Sequence, residues 1–256
     1  MLRNDQFFFL LLVAALLLNA CQPLVAPDSA LPLGAQTAAP SLPDGGAIAE
    51  VNGVALYYEV HGEGEPLLFL PGDMRTTEDV ADLTDLLASD YQVIVMDARG
   101  RGRSTDAEEP LTMAVQADDA VALLDELGID KAHVLGWASS AAVGLEMAMR
   151  YPDRVDKLVT HGPNYTVDGL APDHLAWFKS LTVEDMVPMF EEQYNLTAPD
   201  PAYLPTALER LQNLILSEPN YTLDMLGEVQ APTLVIDGDL DDWIVREHLE
   251  TLAATV

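Results

Sequence analysis

Apolar positions along this chain follow two rhythms. Short unbroken runs at LLFL (67–70), VIVM (93–96), VLGW (134–137), KLVT (157–160) and TLVI (233–236) have the pattern of strands buried on both faces. Between them, apolar residues recur every three or four positions and predict helices over 77–88, 112–127, the segment ending at Arg150, and 245–253. In the 112–127 segment Ala117, Ala120, Val121, Leu124 and Leu127 share a face, while Asp118, Asp119, Asp125 and Glu126 are expected to face away. Gly128 ends that helix. Ahead of the first buried run, AIAEV (47–51) and VALYYEV (54–60) flank Asn52-Gly53, the pattern of a two-residue hairpin. Strands alternating with helices predict an α/β fold, a mostly parallel sheet covered by helices on both faces.

Outside this alternation the pattern changes twice. From about 163 to 229 it becomes helical pieces broken by prolines and carrying Trp177, Phe178, Met186, Met189, Phe190, Tyr194 and Tyr203. This reads as an inserted helical cap, whose apolar residues form its own core and can wall an apolar pocket. At the start, Arg3 precedes the apolar run Phe7 to Leu18, too short to span a bilayer and suited to an export signal over 1–20. The run leads to LNAC, and Cys21, the chain's one cysteine, stands where a bacterial lipoprotein signal is cut and lipidated. Residues 21–46 are rich in Pro, Ala, Ser and Gly and read as a tether. The expected organisation is signal, tether and one domain over 47–256, exported and anchored to a bacterial membrane through lipid.

Composition narrows the function. The formal charge of -30, from 42 acidic against 12 basic residues, repels phosphate backbones and anionic surfaces, so nucleic acid is not an expected partner. No His-Glu-x-x-His, cysteine pair or phosphate loop is present, and neither a metal nor a cofactor is expected. Arg99, Arg101 and Arg103 read as a loop cluster paired with nearby carboxylates.

The hairpin, LFLPG (68–72), DARGRGRS (97–104), HVLGW (133–137), RYPDRV (150–155) and PTLVIDGDLDD (232–242) occur in order and at matching spacing. Together they resemble the α/β-hydrolase superfamily, in its capped, esterase-like form. The resemblance implies a hydrolase of small esters, lactones or amides, with a serine on a strained elbow, an acid beyond a later strand and a histidine last. It places the acid at Asp241, and the oxyanion donors on the backbone N–H of Asp73 or Met74 and of Ser139. At the nucleophile position, counted from either Gly136-Trp137 or Arg150-Tyr151-Pro152, stands Ala138, which cannot attack a carbonyl.

Ser140 is the rival nucleophile, in small-x-Ser-x-small context, although Ser139 and Ser140 read more simply as helix caps. His161, at the end of the KLVT strand, is expected to line the pocket, and His248 to be a solvated or half-buried helix residue. The strand, loop and histidine that the resemblance puts after the acid are not found in 242–256. The domain is therefore expected to be C-terminally incomplete and impaired as an enzyme. The alternative is a lipid-anchored binding protein that holds an apolar small molecule under the cap without turnover.

Overall fold

The computed structural model describes Leu42, Pro43 and Gly45 to Val256. The expected signal, Cys21 and most of the tether lie outside the described residues. Strands β1 (Gly46–Val51) and β2 (Val54–His61) form the expected hairpin. Its corner is a turn with Asn52 and Gly53 both at positive φ, as a two-residue hairpin requires.

Strand β3 (Glu65–Leu70), helix α1 (Ala81–Leu87), β4 (Tyr91–Met96), α2 (Met113–Glu126), β5 (Ala132–Trp137), α3 (Ser139–Arg150) and β6 (Val155–His161) then alternate. The chain leaves the sheet to form α4 (Pro172–Ser180), α5 (Val183–Thr197), α6 (Leu204–Ser217) and α7 (Leu223–Leu226). It returns as β7 (Thr233–Ile236) and closes with α8 (Arg246–Thr255). The predicted 77–88 helix is shorter than its pattern, with a 3₁₀ turn at Glu78–Val80 leading into α1.

The sheet runs β1-β2-β4-β3-β5-β6-β7. Its first two pairings are antiparallel and the rest, from β4 to β7, parallel. Alternate residues of one strand enter different cores, as the unbroken apolar runs require: Ile94 and Met96 pack with Leu123, Leu124 and Val134, whereas Val93 and Val95 pack with Phe69 and Val80. Each such side chain contributes about 1.5–3 kcal/mol on burial. Strand β7 lies at an edge of the described sheet, with Leu234 and Ile236 partly open to solvent.

One polar position departs from the helical pattern. Asp119 does not face solvent; it is buried, because Arg99 Nε and Nη2 bind its two carboxylate oxygens at 2.6 and 2.7 Å. A paired guanidinium is what makes a buried carboxylate tolerable.

Candidate active site

The parallel strands β3, β5, β6 and β7 are neighbours, so the segments leaving their C-terminal ends converge. Open α/β sheets bind ligands at this end. At the end of β5 the chain turns at Ala138, with φ 51° and ψ −126°, a conformation that L residues rarely hold and that stores strain. Main-chain bonds hold the turn: Ala138 N–H donates to the His161 carbonyl at 2.8 Å, and Ala141 N–H to the Ala138 carbonyl at 2.9 Å. Gly136 is needed beneath it, since a Cβ there would lie 2.6 Å from Ala141 Cα. Helix α3 therefore crosses directly over the strand.

The loop after β3 presses on this elbow. A Cβ on Gly72 would meet the Trp137 carbonyl and lie 2.9 Å from Ala138 Cβ, so only glycine permits the approach. Asp73 follows at φ 54°, and its N–H donates to Ser139 Oγ at 2.9 Å. Met74 is buried in the core. Ser140, also buried, donates its hydroxyl to the Pro71 carbonyl at 2.8 Å.

Neither serine caps α3, contrary to the simple expectation. The N-cap of the helix is Ala138, which gives it no side-chain cap, and the serines face the β3 loop and fasten it to the helix instead.

His161, the last residue of β6, pairs in register with Trp137 and meets its ring edge-on at 5.1 Å. Its Nδ1 is enclosed and has no partner among the described residues. Beyond β7, Asp237 likewise encloses an unpartnered Oδ1. Burial pushes the Asp237 carboxyl above its usual range, Asp241 raises it further, and His161 opposes the shift. The three groups thus share one field.

Asp241 is exposed, and its Oδ1 accepts from the N–H of Trp243 at 2.7 Å and of Ile244 at 3.3 Å. Main chain fixes this carboxylate; no histidine hydrogen-bonds to it among the described residues. His174 instead stacks on Trp243 at 4.4 Å and lies 3.7 Å from Asp242.

His248 stands apart from the elbow. Its Nε2 accepts from Tyr165 N–H at 3.0 Å, and its ring stacks on Tyr165 at 3.7 Å. Burial pushes it down to about 4, so at neutral pH it is an uncharged acceptor that holds the segment after β6.

The structure thus brings Ala138, Asp73, Ser139, Ser140 and His161 to one corner, with Asp241 on the loop after β7. Asp237 was not singled out in the sequence; an acidic residue at the end of an apolar strand was its only signal. Among the described residues no group of three or more His, Cys, Asp or Glu is placed to hold a metal.

The profile of the family described as alpha/beta hydrolase fold matches residues 65–188, which span the β3 loop, the elbow and the start of the capping helices. The chain adopts the α/β-hydrolase fold. It is similar to two bacterial proteins that carry the name carbamate hydrolase RutD. In Caulobacter sp. strain K31 the match is 38% over 109 residues and covers 41% of each chain. In Azorhizobium caulinodans it is 28% over 221 residues, covering 78% of this chain and 82% of the relative. The chain therefore spans about four-tenths of one of these relatives and most of the other.

Among solved structures, a hydrolase from Pseudomonas aeruginosa PA01 superposes with a TM-score of 0.65 at 22% identity, covering 82% of this chain and 86% of the other. The enol-lactonase from Burkholderia xenovorans LB400 does so with 0.64 at 19%, covering 82% and 87%. These two likenesses carry the fold, not the chemistry.

Proposed function

We propose that this chain derives from hydrolases of small esters, lactones or amides and is itself impaired in Ser-His-Asp chemistry. The observation that carries this reading is Ala138 at φ 51° and ψ −126°. The strained turn that presents a nucleophile in this fold presents a methyl group here. Relatives whose names describe carbamate and other hydrolases support the lineage. Asp241 is the acid position, and the oxyanion donors are the N–H of Asp73 or Met74 and of Ser139; the Asp73 N–H is engaged by Ser139 Oγ at 2.9 Å.

The test is turnover of short-chain p-nitrophenyl esters and a lactone by the purified protein. No rate above the uncatalysed background is expected, and Ser140→Ala should change nothing. A rate that disappears in Ser140→Ala would overturn the reading by making Ser140 the nucleophile.

A second reading is favoured by the same alanine: the protein binds a small molecule under the cap without turning it over. A panel of apolar and ester-like ligands should then show saturable binding. Absence of binding, together with esterase activity gained by an Ala138→Ser variant extended at its C-terminus with the expected strand, loop and histidine, would leave a decayed enzyme instead.

The leader adds a location. The protein is exported and anchored to a bacterial membrane through lipid on Cys21, and the tether holds the acidic domain away from anionic lipid. Labelled fatty acid should be incorporated into the expressed full chain and lost in Cys21→Ser; equal labelling of both would refute lipidation at Cys21.

A further inference from the structure

The corner of the β1–β2 hairpin is the one place in the chain where glycine follows asparagine. After the other asparagines of the described chain come Tyr165, Leu196, Leu214 and Tyr221, whose side chains crowd the backbone nitrogen that each asparagine side chain faces. Gly53 has no side chain, both turn residues are exposed, and a Cβ on Gly53 would meet nothing within 4 Å. Its N–H donates to no acceptor among the described residues. A free, uncrowded nitrogen thus stands next to the carboxamide of Asn52.

That carboxamide also has a place in the fold. Asn52 Nδ2 donates to Asp119 Oδ1 at 3.1 Å. Asp119 is the buried partner of Arg99, whose Nε and Nη2 bind its two oxygens at 2.6 and 2.7 Å, while Arg99 Nη1 is taken by Glu109 at 2.5 Å. One neutral amide therefore fastens the hairpin corner to α2, and it fits because it donates. A carboxylate at position 52 would set oxygen against oxygen beside a buried pair, where like charges are poorly screened.

We propose that Asn52 is a site of spontaneous deamidation whose product loosens the hairpin from the Arg99–Asp119 pair. The Gly53 nitrogen attacks Asn52 Cγ: the new N–Cγ bond forms, the Cγ–Nδ2 bond breaks, and ammonia leaves with the proton that the Gly53 nitrogen gives up. Water then opens the cyclic imide at either carbonyl. One opening restores the normal backbone with an aspartate side chain; the other routes the backbone through the side chain and adds a methylene to the turn. Both products carry a carboxylate where a donor stood. The second also lengthens a two-residue corner whose positive φ angles match the twist of its strands.

The test is prolonged incubation of the purified protein in mildly alkaline buffer at physiological temperature, followed by digestion and mass spectrometry. The peptide holding residue 52 should acquire the mass of the acid several-fold faster than peptides holding Asn164, Asn195, Asn213 or Asn220, and its two isomeric products should separate on chromatography. Conversion of Asn52 no faster than that of the other asparagines would refute the site. Freshly made Asn52→Asp carries the first product from the start and should melt below the unsubstituted protein by about 4 °C or more. Asn52→Gly keeps a residue suited to the turn and removes the amide without adding charge, so its melting temperature should fall less. If Asn52→Asp melts with the unsubstituted protein, or no lower than Asn52→Gly, the new charge does not reach the buried pair and the loosening is refuted.

Discussion

Ser139 Oγ accepts the backbone N–H of Asp73 at 2.9 Å, so the residue after the elbow occupies one of the donors proposed above for a substrate oxygen. The contact is partly exposed, and water can take the donor when the hydroxyl is removed. Ser139→Ala should therefore cost only about 1 kcal/mol in a urea titration. A loss of several kcal/mol would mean that the bond organises the whole β3 loop.

Backbone conformation at the elbow makes a second prediction. Ala138 holds a positive φ that glycine adopts without strain, and relief of that strain outweighs the added freedom of the unfolded chain. Ala138→Gly should raise stability by about 1 kcal/mol, whereas Ala138→Val should lower it by more than that. Gly72→Ala, whose new methyl meets Trp137 and Ala138, should be among the most damaging single changes near the site. Melting curves of the three variants check the order.

The buried pair of Arg99 and Asp119, both side chains 1% exposed, is expected to be unforgiving. Asp119→Ala leaves a guanidinium buried with only Glu109 beside it, and the cost should be about 3–5 kcal/mol. Denaturation at neutral pH measures it. A loss below about 1 kcal/mol would imply that water reaches Arg99 and hydrates it, as at a surface pair.

His248 ties stability to pH. Its folded value is lowered to about 4 from 6.5, chiefly by burial, with Asp168 opposing. The unfolded chain therefore binds more protons than the folded one between these values. The stabilising contribution is complete above 6.5 and is lost as the pH falls through 4. Urea midpoints at about pH 7 and pH 4.5 should fall further apart in the unsubstituted protein than in His248→Gln, which retains an acceptor for Tyr165 N–H without titrating. Equal differences would show that carboxylates alone govern the acid response.

A formal charge of -30 repels itself in the compact state. Sodium chloride screens that repulsion, and the melting temperature should rise between about 0.05 and 1 M as the Debye length shrinks from roughly 14 to 3 Å. A falling melting temperature would mean that local ion pairs such as Arg150–Asp118 outweigh the general repulsion.

Local pattern was enough to read the sheet strands, the hairpin at Asn52-Gly53 and the elbow, because apolar period and turn chemistry act over a few residues. The place of Ala138 on the strand-to-helix turn was legible for the same reason, since flanking motifs fixed its register from both sides. Helix lengths were less legible, as the 3₁₀ start before α1 shows.

What only the tertiary structure decided depends on groups far apart in the chain. Nothing in the period of α2 distinguishes Asp119 from Asp118; the first is buried because Arg99, 20 residues earlier, reaches it, while Arg150 pairs with the second nearer the surface. Ser139 and Ser140 look like caps until the fold brings them against Asp73 and Pro71, 66 and 69 residues away, where the Ser139 hydroxyl accepts the Asp73 N–H and the Ser140 hydroxyl donates to the Pro71 carbonyl. Three arginines in one short loop are alike in sequence, and only packing separates Arg99 and Arg103, which find carboxylates, from Arg101, which finds none. Local chemistry could determine the shape of the backbone, but the partners of a polar side chain are set by which distant segments the fold brings against it.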